Sequence, residues 1–173
     1  MNRSALAPAF FAILFACGTE SAPPAASSDA LAPFHVAAAP AGAKSVLEVR
    51  ASAKSGDDVV VRGRAQDFVN GFAAIVLIDS SLKACSDEGD AMKGMCETPW
   101  DFCCVPPEER AAASATVEFR DANGLLKSSA QGFHGLDHLD TLVVSGKVER
   151  DASGSVVIVA KNFSFEKNPT PAK

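Results

Sequence analysis

Four of the chain's five cysteines lie within residues 85–104, in a chain of 173 residues. The same stretch contains the only tryptophan, Trp100, and two of the three methionines. The segments on both sides of it alternate between apolar and polar residues, which is typical of strands. We therefore expect residues 85–104 to be one long loop inserted between strands and held in a single shape by its cysteines.

The negative charge of the chain is concentrated around this loop. Residues 79–109 contain eight acidic and two basic residues, a balance of −6, whereas the rest of the chain has 14 basic and 13 acidic residues. Proteins that bind nucleic acid without sequence preference neutralise phosphates with lysine and arginine. The charge distribution therefore argues against nucleic acid as a partner.

The N-terminus has the pattern of an export signal. One basic residue precedes an apolar run over residues 5–15 that is too short to span a bilayer, which predicts a signal peptide over residues 1–16. Leu14, Ala16 and Cys17 resemble the cleavage motif of bacterial lipoproteins. That resemblance implies a lipid on Cys17 and a location at the cell envelope, anchored to the membrane and facing the periplasm or the exterior. The alternative is an ordinary signal peptide that leaves Cys17 unmodified.

The remaining cysteines are even in number, as a disulfide framework in an oxidising compartment requires. We predict two disulfides among Cys85, Cys96, Cys103 and Cys104, for which three pairings exist. A bond between the adjacent Cys103 and Cys104 would close a strained ring, so each is expected to pair with Cys85 or Cys96. Each bridge would add about 2 to 4 kcal/mol of stability.

Composition divides the chain into four parts. Residues 17–43 are predicted to carry the lipid and form a flexible linker, since 19 of the 26 residues in 18–43 are Ala, Pro, Ser or Gly. Residues 44–167 form the predicted domain, of about 130 residues. Residues 168–173 are a polar tail.

Ser45 and Glu48 have the spacing of a capping box, which predicts a helix that ends near Gly56. Alternation from Leu47 to Ala53 leaves a strand as the alternative. Five further segments are predicted strands. A glycine-containing crossover is expected over residues 132–140, between the third and fourth of them, and Leu136, Leu139 and Leu142 recur there at helical spacing. The strands cover residues 58–65, 72–78, 115–119, 141–150 and 155–165, with a partner strand for the third over residues 125–130.

Two of these strands share a motif with a central glycine, at Gly63 and Gly146. Glycine weakens a strand, so its presence indicates a bend, a bulge or a close backbone approach. With the order of elements over residues 45–166, this resembles the OB-fold, a five-stranded Greek-key barrel, and implies an all-β domain in which these two strands lie side by side. The chain also looks like bacterial lipoproteins that carry Pro-Trp-Asp-aromatic-Cys-Cys in such a barrel, a similarity that implies no activity.

In OB-fold domains the ligand usually lies across the second and third strands and their adjoining loops. The cysteine loop joins those strands here. We therefore predict a binding or scaffolding module, with Trp100, Asp101 and Phe102 at the rim of a site for a protein or glycan. The alternative for Trp100 and Phe102 is an apolar cover over the sulfur atoms.

Two other functions use the loop's sulfur atoms. Thiols and thioethers prefer Cu(I) or Zn²⁺, and the acidic surroundings attract cations. The candidate ligands are Cys85, Met92, Met95, Cys96, Cys103 and Cys104. Against a metal site, the loop has no Cys-x-x-Cys pair and no histidine, and its two adjacent cysteines are poorly placed to share an ion. A thiol-disulfide redox pair is the third alternative, opposed by acids that raise thiol pKa values.

His134 and His138 have a spacing that would place both imidazoles on one helix face, but surface or capping roles are more common than zinc binding for such a pair. The sequence has no Gly-x-Ser-x-Gly motif and no phosphate-binding loop. We expect no enzymatic activity and no cofactor.

Overall fold

A computed structural model describes residues 28–87 and 96–168. These residues fold mainly into β-strands, with a six-stranded sheet, a separate two-stranded hairpin and two short α-helices. The strands are β1 (Lys44–Ser45), β2 (Asp58–Phe68), β3 (Ala74–Ile78), β4 (Ser114–Glu118), β5 (Arg120–Asp121), β6 (Gly124–Leu125), β7 (Thr141–Arg150) and β8 (Val156–Glu166). The helices are α1 (Val46–Ser52) and α2 (Pro107–Ala112), and 3-10 helices cover Ser28–Phe34 and Phe133–Gly135. The part of the chain described here holds no helix with the length and apolar character to cross a membrane.

Five strands of the main sheet form a closed ring. The order is β2-β3-β4-β8-β7, and β7 pairs again with β2. The β4–β8 pair is parallel, while the other four pairs of the ring are antiparallel. Closure gives the backbone amides and carbonyls of these strands a partner on both sides. The predicted strands that correspond to these five are confirmed to within a few residues at their ends.

The two glycines lie on the neighbouring strands β2 and β7, as expected. A Cβ atom on Gly63 would come within 2.9 Å of the Ile78 carbonyl oxygen, and one on Gly146 would clash with the Val159 carbonyl. Gly146 also lies at a register shift between β7 and β8. Both glycines are therefore required by close approach of a neighbouring strand.

The capping box is present and selects the helix over the alternative strand. The Ser45 hydroxyl accepts a hydrogen bond from the Glu48 amide, and the Glu48 carboxylate accepts one from the Ser45 amide. Val46 and Val49 pack into the core from α1. The helix ends at Ser52, before the predicted stop at Gly56, because Ala53 already has extended backbone.

Two predictions for the connection between β4 and β7 are wrong. The expected strand over residues 125–130 ends at Leu125, because the following Lys-Ser-Ser run has no apolar alternation to pack. The predicted helical spacing of leucines after residue 132 gives only one 3-10 turn. Gly132 and Gly135 have φ values of +89° and +82° there, which interrupt a helix.

The predicted linker is too long at its C-terminal end. Residues 28–36 lie against the ring, with Leu31 fully buried and the Val36 amide donating to the Phe163 carbonyl. The ring of Phe34 packs edge-on against Phe119. Apolar burial at these few positions offsets the cost of ordering the Ala- and Pro-rich segment. Residues 1–27, with the predicted signal peptide and Cys17, lie outside the described structure.

The domain also extends beyond its predicted end. Asp140 is fully buried and accepts hydrogen bonds from the Asp137 amide, the Lys167 ammonium group and the Asn168 amide. The Asn168 side chain donates to Thr141. These contacts place Asn168 in the domain and not in the predicted tail.

We expect Gly146→Ala to destabilise the domain strongly. The added methyl group would meet the Val159 carbonyl and the Ile158 side chain at once, and overpacking of this kind costs about 3 kcal/mol. The control Lys147→Ala, one residue along the same strand, removes an exposed ion pair with Asp58 and should cost much less, because solvent screens such pairs. Urea unfolding measures both, and equal losses would contradict the close approach.

Candidate functional site

The cysteine loop connects β3 to α2 and has a small core of its own. This second core lies apart from the main one and includes the end of β3 and the end of the crossover, just before β7. Its buried residues are Ile78, Leu82, Ala84, Phe102, Ala113 and Leu139, with Trp100 and Val105 packed against them. The loop is therefore held to the sheet by apolar burial.

Hydrogen bonds join the two ends of the loop. The Cys85 amide donates to the Asp101 carbonyl at 2.8 Å, and the Ser86 amide donates to the Pro99 carbonyl at 2.7 Å. These bonds bring the segment after β3 alongside the segment before α2. The cysteines on the two segments are thus neighbours without any covalent link.

Arg64 on β2 anchors the loop from the sheet. Its guanidinium group makes two hydrogen bonds to the Asp87 carboxylate, the shorter at 2.6 Å, and lies 5.7 Å from the centre of the Phe102 ring. Burial raises the pKa of Asp87, but the hydrogen bond and charge of Arg64 and the Ala84 amide hold that pKa below its usual value. The ion pair is a two-point contact, which fixes geometry better than a single bond.

Asp79 fixes the start of the loop, a role that the sequence analysis missed. Its carboxylate is 4% exposed and accepts hydrogen bonds from the Leu47 amide of α1 and from the Ser81 amide. Burial raises the pKa of Asp79, but these hydrogen bonds keep it below its usual value. The sequence feature that could have indicated this role is an aspartate followed by two serines directly after an apolar strand, which is a common turn pattern.

No two of the four loop cysteines are joined by a disulfide bond among the described residues, so the predicted disulfides are not observed there and stay a prediction. The Cys85 and Cys103 sulfur atoms are 2.9 Å apart, longer than the roughly 2.05 Å of a disulfide bond. The Cys85–Cys104 and Cys96–Cys103 sulfur distances are 4.0 and 3.9 Å. The loop's own hydrogen bonds and core supply the constraint that the disulfides were expected to supply.

The thiols differ in acidity because they form hydrogen bonds with one another. Burial raises the pKa of Cys85, but hydrogen bonds from Cys103, Cys96 and Cys104 outweigh it and lower the pKa below its usual value. The hydrogen bond with Cys85 raises the pKa of Cys103 to about 12, and the same contact raises that of Cys104. Cys85 is therefore the first of these three thiols to ionise.

A cleft of about 210 Å³ opens beside the loop. One wall is aromatic, with the rings of Trp100 and His138 5.5 Å apart, and Phe68 packs edge-on against His138. The lining residues are Gln66, Asp67, Thr98, Trp100, Asp101 and His138. The cleft thus combines aromatic surface with carboxylate, amide and hydroxyl groups.

The predicted rim residues separate into two groups. Trp100 and Asp101 line the cleft, whereas Phe102 is fully buried in the second core and does not face it. Phe102 is therefore not at the rim, and its amide donates a hydrogen bond to the Asp101 carboxylate in a tight turn. Sequence reasoning missed His138 as a cleft residue, and Met92 and Met95 lie outside the described residues.

The two histidines do not share a helix face. His138 lies in the cleft and hydrogen-bonds Asp137 through Nδ1 at 3.0 Å. His134 stacks on Phe133 and contacts His35 of the N-terminal segment. The backbone of His134 has a φ of +46°, outside a helix, which turns the two side chains to different parts of the surface.

Coupling between Arg64 and Asp87 should depend on pH. A carboxyl group with a depressed pKa in the folded state stabilises the fold above its ordinary pKa, here 3.8, and that stability is lost as the pH falls through the folded pKa. A double-mutant cycle with Arg64→Gln and Asp87→Asn should give about 1 kcal/mol at neutral pH. Urea unfolding at decreasing pH below 3.8 should show the coupling disappear, and a constant value would contradict the ion pair.

No protein-family model matches the chain, and no curated protein matches it. The solved structures that match the chain include the following two. The first, OBody AM1L10 bound to hen egg-white lysozyme, is 15% identical, covers 78% of this chain and 100% of its own, and has a TM-score of 0.42. The second, OBody AM3L15 bound to hen egg-white lysozyme, is 15% identical, covers 79% and 98%, and has a TM-score of 0.44. Likeness at this level says nothing about what this chain binds.

Proposed function

We propose that the chain is an exported, lipid-anchored binding module of the cell envelope, and that its ring of strands is a five-stranded OB-fold barrel. The connectivity supports the fold. Strands β2, β3 and β4 follow one another as an antiparallel meander, β8 joins β4 in parallel, and β7 returns to β2. A Greek-key order is what the resemblance to the OB-fold implied, and this connectivity supports the proposed barrel.

The envelope location rests on the N-terminal sequence. An apolar run over residues 5–15 precedes Ala16 and Cys17, which supports export and lipid attachment. The partner of the anchor is the membrane, and the domain is the part available for a second partner. We assign this second partner to the cleft beside the cysteine loop.

The cleft is the observation that carries the proposed binding function. Sugar hydroxyl groups donate hydrogen bonds to carboxylate and amide oxygens, which Asp67, Asp101 and Gln66 provide, and an aromatic ring such as Trp100 packs on the apolar face of a sugar ring. The volume is below the roughly 300 Å³ of small-molecule pockets, so it fits one ring of a longer glycan. We propose a glycan as the ligand, with binding and no catalysis.

Trp100→Ala should weaken glycan binding at least about tenfold, or about 1.4 kcal/mol, because it removes the aromatic wall. Isothermal titration of the Cys17→Ser chain with soluble peptidoglycan fragments measures the effect. Trp100→Phe keeps an aromatic ring and the packing on the second core, and should retain most of the affinity.

Leu47→Ala is the matched control, since Leu47 is an exposed apolar residue on α1 and does not line the cleft. It should bind as the parent does. If the parent binds the fragments and Trp100→Ala binds them equally well, the cleft is not the glycan site. If the parent shows no binding, the assignment of a peptidoglycan-type glycan is wrong.

Cys17→Ser should release the protein from the membrane fraction, because serine has no sulfur atom to which the lipid can be attached. Fractionation of the producing cells, followed by detection of the domain in the soluble fraction, measures this. Retention of the variant in the membrane fraction would contradict lipid anchoring and leave the cleft test unaffected.

A further inference from the structure

Three thiols of the cysteine loop converge on one point. The sulfur atoms of Cys85, Cys103 and Cys104 all lie within 4.8 Å of one another. Cys85 is buried at the base of the loop, whereas Cys103 and Cys104 are exposed. The group is thus open to solvent on one side and closed by protein on the other.

The spacing suits a bound metal ion. With metal–sulfur bonds of about 2.3 Å, sulfur atoms lie about 3.8 Å apart around a tetrahedral ion and about 4.0 Å apart around a trigonal one. The Cys85–Cys104 distance of 4.0 Å already matches. The Cys85–Cys103 distance of 2.9 Å would have to increase by about 1 Å, a shift that rotation of the exposed Cys103 side chain allows.

Cys103 and Cys104 are adjacent in the sequence, which was an argument against their binding the same ion. In the structure Phe102, the residue before the pair, is fixed in the second core, and the chain then passes Cys85 closely enough for both following sulfur atoms to reach it. The Cys85 amide is fixed by its hydrogen bond to Asp101. The backbone that carries the three cysteines is therefore held by packing and backbone contacts that do not involve the thiols, which keeps the three side chains within reach of one ion.

The chemistry of the donors limits the ion. Thiolates select soft or borderline cations such as Cu(I) and Zn²⁺ over Mg²⁺ or Ca²⁺, which need oxygen ligands. No carboxylate or imidazole joins the group among the described residues. The −6 charge of residues 79–109 favours a cation over an anion at this place.

We propose that Cys85, Cys103 and Cys104 form a binding site for one thiophilic cation, Cu(I) or Zn²⁺. Binding forms three metal–sulfur bonds and releases the protons of the thiols to solvent, with no change of oxidation state. Affinity should therefore rise with pH until all three thiols are ionised. This site is separate from the glycan cleft, and neither proposal depends on the other.

Metal titration of the full chain carrying Cys17→Ser tests the site. The protein is kept reduced under anaerobic conditions and titrated with Zn²⁺ alone, and separately with Cu(I), against a chromophoric chelator. We expect one tightly bound ion per chain in at least one of the two titrations. Cys103→Ser and Cys104→Ser, both at exposed positions, should each weaken binding at least about tenfold.

Leu47→Ala is the control, since Leu47 is exposed on α1 and lies outside the cysteine loop. It should keep one ion per chain with the parent affinity. Cys96→Ser removes a thiol whose sulfur atom lies 3.9 Å from that of Cys103 but is not part of the three-sulfur group, so it should weaken binding less than Cys103→Ser does. Far-ultraviolet circular dichroism checks that each variant is folded, and proton release measured during titration gives a readout independent of the chelator.

Three results would overturn the proposal. One is equal binding by the parent and by the Cys103→Ser/Cys104→Ser double variant, which would indicate adventitious ions only. Another is loss of binding in Cys96→Ser with no loss in Cys103→Ser. The third is a disulfide between any two of the three cysteines in protein isolated without added reductant, since a bonded sulfur is not a thiolate ligand.

Discussion

Closure of the sheet by the pairing of β2 with β7 is the constraint on which the rest of the structure depends. A five-stranded sheet left open would have unpaired backbone amides and carbonyls along both of its edge strands. Closure requires two strands to approach their neighbours closely, and Gly63 and Gly146 lie at those places. The enclosed space is filled by the main core, to which α1 contributes Val46 and Val49.

The long loop between β3 and α2 is a consequence of this arrangement. It leaves the ring at Asp79, whose buried carboxylate also holds the first turn of α1, and it returns beside β2, where Arg64 binds Asp87. A small core around Phe102 fills the space beneath it. Sulfur chemistry is therefore not needed to shape the loop, and its thiols are available for another purpose.

The strands and the first helix could be predicted from local patterns. Alternation gave the limits of β7 within a residue, and Ser45 with Glu48 marked the start of α1, because both signals depend only on nearby residues. The site was harder to predict, since it depends on contacts between distant segments. The cysteine spacing did not show that backbone hydrogen bonds align residues 85–86 with residues 99–101. His138 reaches the cleft through a turn in which Leu139 has a φ of +66°.

Docking of residues 28–36 on β8 changes the geometry of attachment to a bilayer. Only residues 18–27 separate Cys17 from the first residue that the structure describes, and ten residues span at most about 35 Å even when fully extended. The originally expected 26-residue spacer would span up to about 90 Å. A lipid on Cys17 would thus confine the domain to a thin layer next to the headgroups, where it meets surface-bound molecules and not those deeper in the surrounding compartment.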